Sequence, residues 1–541
     1  MSPRPRFTSK IDVIRNAIVG VLVRPLRWFS PPTQFAIGFV ALCLLTTLVL
    51  ARSLHAYRAI VMLAIVAGVY FVVWQFVKYR AASVDLLISS ERAFALVGSA
   101  ILFQTVVIRL SFLVTDAIAS QGTRAPFDDA AAWTFTIPFA AAALLVTMLL
   151  DRQLSFVTGV ITAVVAGILA PHGLAASLYA LASCTAAAYG IKRYRERQSV
   201  TIGGLLVAVV NVATAVALTA LTQSHLTLLG LLICALFGFG GGLLTIVFAA
   251  GGVPINESLF GVLTDIRLLE LTNADLPVLS QLALRAPGTN QHSHAVGQLA
   301  EDACRAIGAN TILARVGALY HDIGKVAAPD HFVENQTGSN PHDRLRPLQS
   351  AKIITSHVTY GLRLAKEIGL PKRVADFIPQ HHGTRTLHFF LRKAEAETNG
   401  KEINESDFRY PGPKPQFKEA GILMLVDSAE AAARSLAQPN PENIRGIVSR
   451  IFDAVVSDGQ LDESQLTLHD LRQLREAIVN SLLAIYHPRI DYPGFNAPAA
   501  SAEHAPVRGT YASAAEVPIN EAGEVEDEAV PWHGLSETPD A

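Results

Sequence analysis

The chain has 541 residues, a formal net charge of −1, 51% hydrophobic residues and 16% charged residues. This composition is too apolar for an ordinary soluble protein, so part of the chain is expected to lie in lipid. A net charge near zero excludes the overall basic field that draws proteins onto nucleic acid, and we expect no nucleic-acid partner.

Long apolar runs are confined to the part of the chain before residue 252. Residues 1–33 form a basic segment that we expect in the cytoplasm. Residues 34–251 form the predicted transmembrane region, because their apolar runs approach the roughly 20 residues that a helix needs to cross a bilayer. The candidate spans are 34–52, 59–77, 93–115, 131–150, 154–170, 173–191, 202–222 and 226–251. The runs at 154–170 and 173–191 are short and closely joined, so the sequence leaves seven or eight spans open.

The distribution of lysine and arginine predicts the orientation of these spans. If the N-terminus is inside and there are eight spans, most basic residues fall in inner segments, while the outer loops contain only Arg52, Arg58 and Arg124. Basic loops favour the cytoplasmic side of a membrane. Because eight is an even number, the chain after residue 252 is expected in the cytoplasm.

Residues 252–492 have a different pattern. Apolar residues recur at helical spacing around 295–303 and 422–429, and alternating β-branched runs are scarce. The predicted fold is therefore all-α: a polytopic transmembrane helix bundle followed by an all-helical cytoplasmic domain. Residues 493–541 are rich in Ala, Pro, Glu and Gly and include an acidic run at 521–528, so we expect a disordered tail.

The soluble half contains a set of histidines and aspartates with metal-ligating atoms. They are His292, His321, Asp322, His357, His381, His382 and Asp427. Imidazole nitrogen and carboxylate oxygen together suit iron or manganese, with zinc as an alternative. Adjacent residues on a helix point about 100° apart, so the pairs His321-Asp322 and His381-His382 can each serve different metals or different edges of one site. Asp427 interrupts an apolar run, where an unpaired carboxylate would be costly.

The order of these motifs resembles that of the HD superfamily of metal-dependent phosphohydrolases. The chain has a His-Ser, an HDIGK, a lone histidine, a His-His-Gly and a late aspartate, in that order. Longer segments resemble the membrane-bound 7TM-HD family, one member of which cleaves cyclic di-AMP. They include LFGVLTDIRLLEL, APGTNQHS, ARVGALYHDIGK, FVENQTGSNPHD, QHHGT and YPGPKPQFKEAGILMLVDSAEAAARSL. The likeness extends over nearly the whole soluble half.

The resemblance implies a role for each residue of the set. One divalent metal would be bound by His292, His321, Asp322 and Asp427. The other would be bound by Asp322, His357, His381 and His382, so that Asp322 bridges the two. Manganese or iron is the expected metal. Lys325, on the turn after Asp322, is expected to act in catalysis by contacting a phosphate oxygen as a point charge, and a solvated lysine is the alternative.

The function implied by the resemblance is that of a phosphodiesterase in the bacterial inner membrane that hydrolyses cyclic di-AMP to the linear dinucleotide pApA. A different nucleotide, such as cyclic di-GMP, is the first alternative. The HD branch known for that substrate has Gly-Tyr-Pro shortly after its double histidine, whereas here Gly383-Thr384-Arg385 follows. The second alternative is a membrane receptor that binds a nucleotide without turnover. The sequence is also compatible with a homo-oligomer.

Overall fold

The computed structural model describes residues 29–486, apart from short gaps at 52–55, 85, 124–126, 172, 191–195, 197, 223–226, 398–402 and 437. Most of the predicted basic N-terminal segment and the whole predicted tail at 493–541 lie outside the described residues. Within the described ranges the chain is helical, and its only β-type pairing is the isolated bridge between Thr386 and Arg409. The prediction of an all-α protein is confirmed. The chain divides into two compact units between Arg267 and Leu268.

The first unit is built from long apolar helices. They are α1 (Pro31–Leu50), α2 (Ala56–Ser83), α3 (Ser90–Gln121), α4 (Ala130–Trp133), α5 (Ala141–Leu149), α6 (Arg152–Leu169), α7 (Gly173–Tyr189), α8 (Gln198–Thr222) and α9 (Leu228–Phe260). Counting α4 and α5 as one, seven helices of the described chain are long and apolar enough to cross a membrane. This unit is therefore a multi-pass membrane region. Helix α7, at the site of the questionable eighth span, is apolar but has only 17 residues.

The fourth predicted span, 131–150, is not a continuous helix. A 3₁₀ turn at Thr134–Thr136 and the segment around Pro138 separate α4 from α5. Proline restricts the residue before it and lacks an N–H, which explains the break. The buried amide of Gln104 satisfies the broken backbone: Nε2 donates to the Pro138 carbonyl at 3.0 Å, and Oε1 accepts from the Ala142 N–H at 2.9 Å. Non-helical backbone inside a membrane needs such protein partners.

The outer surface of this unit is apolar, and several buried hydroxyl groups are satisfied within their own helices. Leu48 is 65% exposed and Val247 is also 65% exposed, as expected for side chains that face lipid. The hydroxyl of Thr47 donates to the Cys43 carbonyl at 2.7 Å, and that of Thr105 donates to the Ile101 carbonyl at 2.8 Å. These contacts stabilise polar atoms where water is absent.

The second unit is a bundle of shorter amphipathic helices. After α10 (Asp265–Glu270), which spans the boundary, come α11 (Pro277–Arg285), α12 (Pro287–Ile307), α13 (Thr311–Tyr320), α14 (Pro347–Ile368), α15 (Lys372–Ala375), α16 (Phe377–Gln380), α17 (His388–Glu397), α18 (Lys418–Arg434), α19 (Pro441–Ser457) and α20 (Leu468–Ile485). Helices α12 and α14 end at Gly308 and Gly369, which have a φ of 71° that suits glycine. Helix α12 packs against α13 and α18, and this core positions the polar cluster described next.

Candidate metal centre

The seven histidines and aspartates singled out in the sequence come from different elements of the second unit. His292 lies in α12, His357 in α14 and Asp427 in α18, while the pairs His321-Asp322 and His381-His382 directly follow α13 and α16. All are buried except His382, which is partly buried. The structure brings all seven together.

Three of the histidines are held by the backbone in the same way. The Nδ1 atoms of His321, His357 and His381 lie 2.6, 2.6 and 3.1 Å from the carbonyl oxygens of Ala318, Ile354 and Phe377, respectively. A carbonyl oxygen can only accept a hydrogen bond, so each Nδ1 carries a proton. Each Nε2 is then the ring atom that can bind a metal once it is unprotonated. This is how proteins orient histidines that bind metals.

The three Nε2 atoms converge on the carboxylate of Asp322. The Nε2 atoms of His357 and His381 lie 3.4 and 3.5 Å from Asp322 Oδ1, and that of His321 lies 3.1 Å from Asp322 Oδ2. Among the described residues, none of the three Nε2 atoms has a hydrogen-bond partner, nor does Asp322 Oδ1, although all four atoms are buried. Buried polar atoms are rarely left unpaired. Four such atoms at one point, all of them good metal ligands, fit a bound cation.

His292 is oriented by carboxylates instead of a carbonyl. Its Nε2 lies 2.8 Å from Asp427 Oδ1, and its Nδ1 lies 2.6 Å from Glu430 Oε2. Asp427 Oδ1 is also 3.6 Å from His321 Nε2, which connects this pair to the cluster. Glu430 is held in turn by an ion pair with Arg434 one turn further along α18.

The potential ligand atoms form two groups that share Asp322. Asp322, His357, His381 and His382 form one, and His292, His321 and Asp322 form the other; within each group the atoms lie within 4.8 Å of one another. Asp427 adjoins the second group through His292 and His321. The ring of His382 stacks on that of Tyr410, with 4.1 Å between centroids.

Lys325 is placed between two carboxylates. Its Nζ lies 2.8 Å from Asp322 Oδ2 and 2.7 Å from Glu334 Oε1, and it sits 4.9 Å from the centre of the Phe332 ring. Burial favours the neutral amine, but the two carboxylates outweigh it and raise the pKa of Lys325. The side chain is therefore an ion-pair partner of Asp322, and the solvated lysine considered as the alternative is wrong. Its contact with a phosphate oxygen stays a prediction.

The charges around the cluster determine which groups are ionised. Burial disfavours the Asp322 carboxylate, but the charges of His321 and Lys325 outweigh it and hold its pKa well below the usual value. Burial lowers the pKa of His357 to about 4. Burial acts in the same direction on His292, but its hydrogen bonds to Asp427 and Glu430 raise its pKa to about 9. A cation bound between His292 and Asp427 would replace the proton that these groups share.

Sequence reasoning missed several residues of the site. Glu430 had a signal, since it follows Asp427 by three residues and so lies on the same face of α18. Glu334 and Tyr410 lie in segments that resemble the family, but no periodicity connects them with Lys325 and His382, because Glu334 is in a short 3₁₀ turn and Tyr410 is in a non-helical segment.

Comparison with known proteins agrees with this geometry. Residues 289–432, which include the whole cluster, match the HD domain family. Fold and site therefore define an HD-domain protein joined to a membrane region. Residues 57–264 match a family described as a 7TM receptor with intracellular HD hydrolase. The chain belongs to this family of membrane proteins with an HD hydrolase domain.

Two curated relatives are cyclic-di-AMP phosphodiesterases named PgpH. The Bacillus subtilis protein is 38% identical over 366 residues, covering 66% of this chain and 51% of the relative. The Listeria monocytogenes protein is 38% identical over 364 residues, covering 66% of this chain and 50% of the relative. The chain thus spans about half the length of these relatives. A crystal structure of the L. monocytogenes PgpH HD domain in complex with cyclic di-AMP is 44% identical and covers 40% of this chain and 100% of that one, with a TM-score of 0.38.

Proposed function

We propose that this chain is a membrane-anchored, metal-dependent phosphodiesterase that hydrolyses cyclic di-AMP to the linear dinucleotide pApA. The observation that carries the proposal is the convergence of three buried, unpartnered Nε2 atoms on the unpartnered Oδ1 and the neighbouring Oδ2 of Asp322. The substrate is supported by the names of the two PgpH relatives. The proposed HD domain comprises residues 252–492 and follows the membrane region at 34–251.

The ligands are proposed to bind two divalent ions, manganese or iron. His292, His321, Asp322 and Asp427 would bind the first, and Asp322, His357, His381 and His382 the second. A bridging role for Asp322 is supported by its two oxygens, since Oδ2 is 3.1 Å from His321 Nε2 while Oδ1 is 3.4 Å from His357 Nε2. When bound, such a pair supplies Lewis acidity toward a phosphodiester and a water nucleophile at neutral pH.

The chain's own residues have supporting tasks in this proposal. Lys325 fixes the Asp322 carboxylate through its ion pair at 2.8 Å and keeps it ionised. The backbone carbonyls behind His321, His357 and His381 hold the imidazoles in the tautomer that a metal needs. Only one phosphodiester of a cyclic dinucleotide can lie on this cluster at a time, so opening of the ring leaves a linear product with one terminal phosphate.

The proposed location is the inner membrane of a bacterium, with the HD domain in the cytoplasm. The bias of lysine and arginine towards the inner segments supports this orientation, provided that α7 also crosses the membrane. The partners are then the lipid bilayer and a cytoplasmic cyclic dinucleotide.

The test uses the full-length protein, purified in detergent and supplied with Mn²⁺. Cyclic di-AMP and cyclic di-GMP are incubated separately, and the products are followed over time by chromatography. We expect pApA to accumulate first from cyclic di-AMP, with mononucleotide at most a slow second product. Faster cleavage of cyclic di-GMP would refute the adenine preference. Tight binding of cyclic di-AMP without product would favour a receptor instead.

A further inference from the structure

Arg385 is an arginine near the metal centre for which the proposed mechanism has no role. It follows His382 by three residues, after a turn in which Gly383 has a positive φ of 56°. Its backbone is fixed on both sides: its N–H donates to the His382 carbonyl at 3.2 Å, and its carbonyl accepts from the Tyr410 N–H at 3.0 Å. The side chain therefore starts from a defined position beside the ligand cluster.

The hydrogen-bond partner of the Arg385 guanidinium is a neutral hydroxyl group and not a carboxylate. Its Nη1 donates to the hydroxyl of Ser428 at 3.0 Å, and Ser428 directly follows Asp427 in α18. No ion pair to Arg385 occurs within the described part of the chain, although the side chain is partly buried. Two other arginines of this unit are neutralised, since Arg409 pairs with Glu405 at 2.7 Å and Arg434 pairs with Glu430.

This arrangement leaves a cation with free donors next to the site. A guanidinium has five N–H donors in a planar fork, and one of those on Arg385 is used by a neutral hydroxyl. A partly buried charge without a counter-ion is costly, and a phosphate group is the anion whose geometry best fits the fork. The structure thus favours an anionic ligand at Arg385.

We propose that Arg385 binds the non-reacting phosphodiester of a cyclic dinucleotide, an inference that rests on the function proposed above and deepens it. A cyclic dinucleotide carries two phosphodiesters, and the one that is cleaved must lie on the ligand cluster. Among the described residues, the Arg385 side chain makes no hydrogen bond or ion pair with the seven proposed ligands, and it instead donates to Ser428, the residue after Asp427. It is therefore placed for the second phosphodiester. Arg385 is a specificity-determining residue that distinguishes a cyclic dinucleotide from a substrate with one phosphate.

The experiment compares two substrates in the full-length, Mn²⁺-loaded protein. Cyclic di-AMP has two phosphodiesters, whereas bis(p-nitrophenyl) phosphate has one. Arg385→Met should raise KM for cyclic di-AMP by about 10-fold to 100-fold, the effect of losing charge-assisted hydrogen bonds, with kcat within about twofold. Both parameters for bis(p-nitrophenyl) phosphate should stay within about twofold. Arg385→Lys, which keeps the charge but not the fork, should give an intermediate KM.

The matched control is Arg392→Met, which removes an exposed arginine from α17 and should change neither substrate's kinetics. An unchanged KM for cyclic di-AMP in Arg385→Met, or a parallel loss with both substrates, overturns the inference. A wild-type protein that cleaves bis(p-nitrophenyl) phosphate but not cyclic di-AMP refutes the proposed substrate instead. In that case the role of Arg385 is tested by using cyclic di-AMP as an inhibitor of bis(p-nitrophenyl) phosphate cleavage. Cyclic di-AMP should inhibit Arg385→Met about 10-fold more weakly than wild type, and equal inhibition overturns the role of Arg385.

Discussion

The first unit (the membrane unit) and the second unit (the HD unit) differ in the hydrogen bonding of their buried polar groups. In the membrane unit, Thr47 is satisfied within its own helix and Gln104 satisfies a helix break. In the HD unit, the Nε2 atoms of His321, His357 and His381 are buried and have no hydrogen-bond partner in the part of the chain that the structure describes. Unpaired buried polar atoms are rare because they cost folding free energy. Their concentration at one point therefore marks a site, whereas paired polar groups mark structural support.

The membrane unit has exceptions to this contrast. Ser183 and Asn211 are buried there with side-chain atoms that lack hydrogen-bond partners. Neither offers an imidazole or a carboxylate, and so neither resembles the cluster in the HD unit. The two units thus differ in the chemical type of their unpaired atoms and in whether these atoms lie close together, as well as in their number.

The largest expected effect comes from removing the shared carboxylate. Asp322→Ala should lower kcat for cyclic di-AMP by about a thousandfold or more, because both proposed metals lose a ligand at once. The measurement is the steady-state rate at saturating Mn²⁺. Asp376→Ala is the matched control, because among the described residues Asp376 pairs only with the exposed Lys372, at 2.7 Å. Near-normal turnover in Asp322→Ala would rule out the bridging role.

A second prediction concerns the packing behind the cluster. A Cβ added at Gly324 would lie 1.9 Å from the His357 carbonyl oxygen and 2.7 Å from the Gly361 nitrogen. Gly324→Ala should therefore push α14 and His357 away from Asp322. We expect a loss of about 1–3 kcal/mol in the free energy of unfolding of the HD unit, together with a lower kcat.

Gly338→Ala is the control for this overpacking, since a Cβ at Gly338 would meet nothing within 4 Å. Thermal unfolding and the rate with cyclic di-AMP are measured for both variants. Equal stability and equal rates in the two variants would show that the close contact between Gly324 and α14 contributes nothing to stability or catalysis.

A smaller effect is expected from the group that orients His292. Glu430→Gln weakens the acceptor that lies 2.6 Å from His292 Nδ1. Such orienting residues typically contribute about 10-fold to 100-fold in metal affinity. The apparent Mn²⁺ affinity, measured by activity against free metal, should fall by that factor, while kcat at saturating Mn²⁺ recovers. Glu405→Gln, on the exposed surface, should leave the affinity unchanged, and a kcat deficit that metal cannot restore would contradict an orienting role for Glu430.

The smallest effect on catalysis is expected from the membrane unit. Gln104→Leu removes both hydrogen bonds across the break at Pro138 and should lower the stability of this unit by about 1–2 kcal/mol. Because Gln104 only supports the bundle, kcat per folded protein should not change. Unfolding in detergent and turnover are measured side by side, with the exposed Gln75→Leu on α2 as control. A loss of turnover at unchanged stability would mean that this region regulates the site.

Much of the fold followed from the sequence, because apolar length and helical periodicity are local properties. The exceptions have local causes as well. Residues 131–150 form an apolar run whose average hydropathy hides the effect of Pro138, and α7 is too short to decide whether it crosses a membrane.

The candidate site was less predictable than the fold. The motifs named the seven residues that the structure brings together, although their role as ligands stays a prediction. The neighbouring residues of the site were mostly not predictable, because Glu334 reaches Lys325 from a short 3₁₀ turn and Arg385 reaches Ser428 across 43 residues of chain. Such contacts depend on tertiary packing, which a single sequence does not specify.

The central claim is that the buried cluster binds the metals that the reaction requires. Its most direct test is a metal titration of the full-length protein: ions are removed with a chelator, Mn²⁺ is returned stepwise, and bound metal and the rate with cyclic di-AMP are measured together. We predict that about two ions bind per chain, that activity is lost on removal and returns with them, and that Asp322→Ala binds fewer. Turnover by metal-free protein, or equal Mn²⁺ binding by wild type and Asp322→Ala, would contradict the claim.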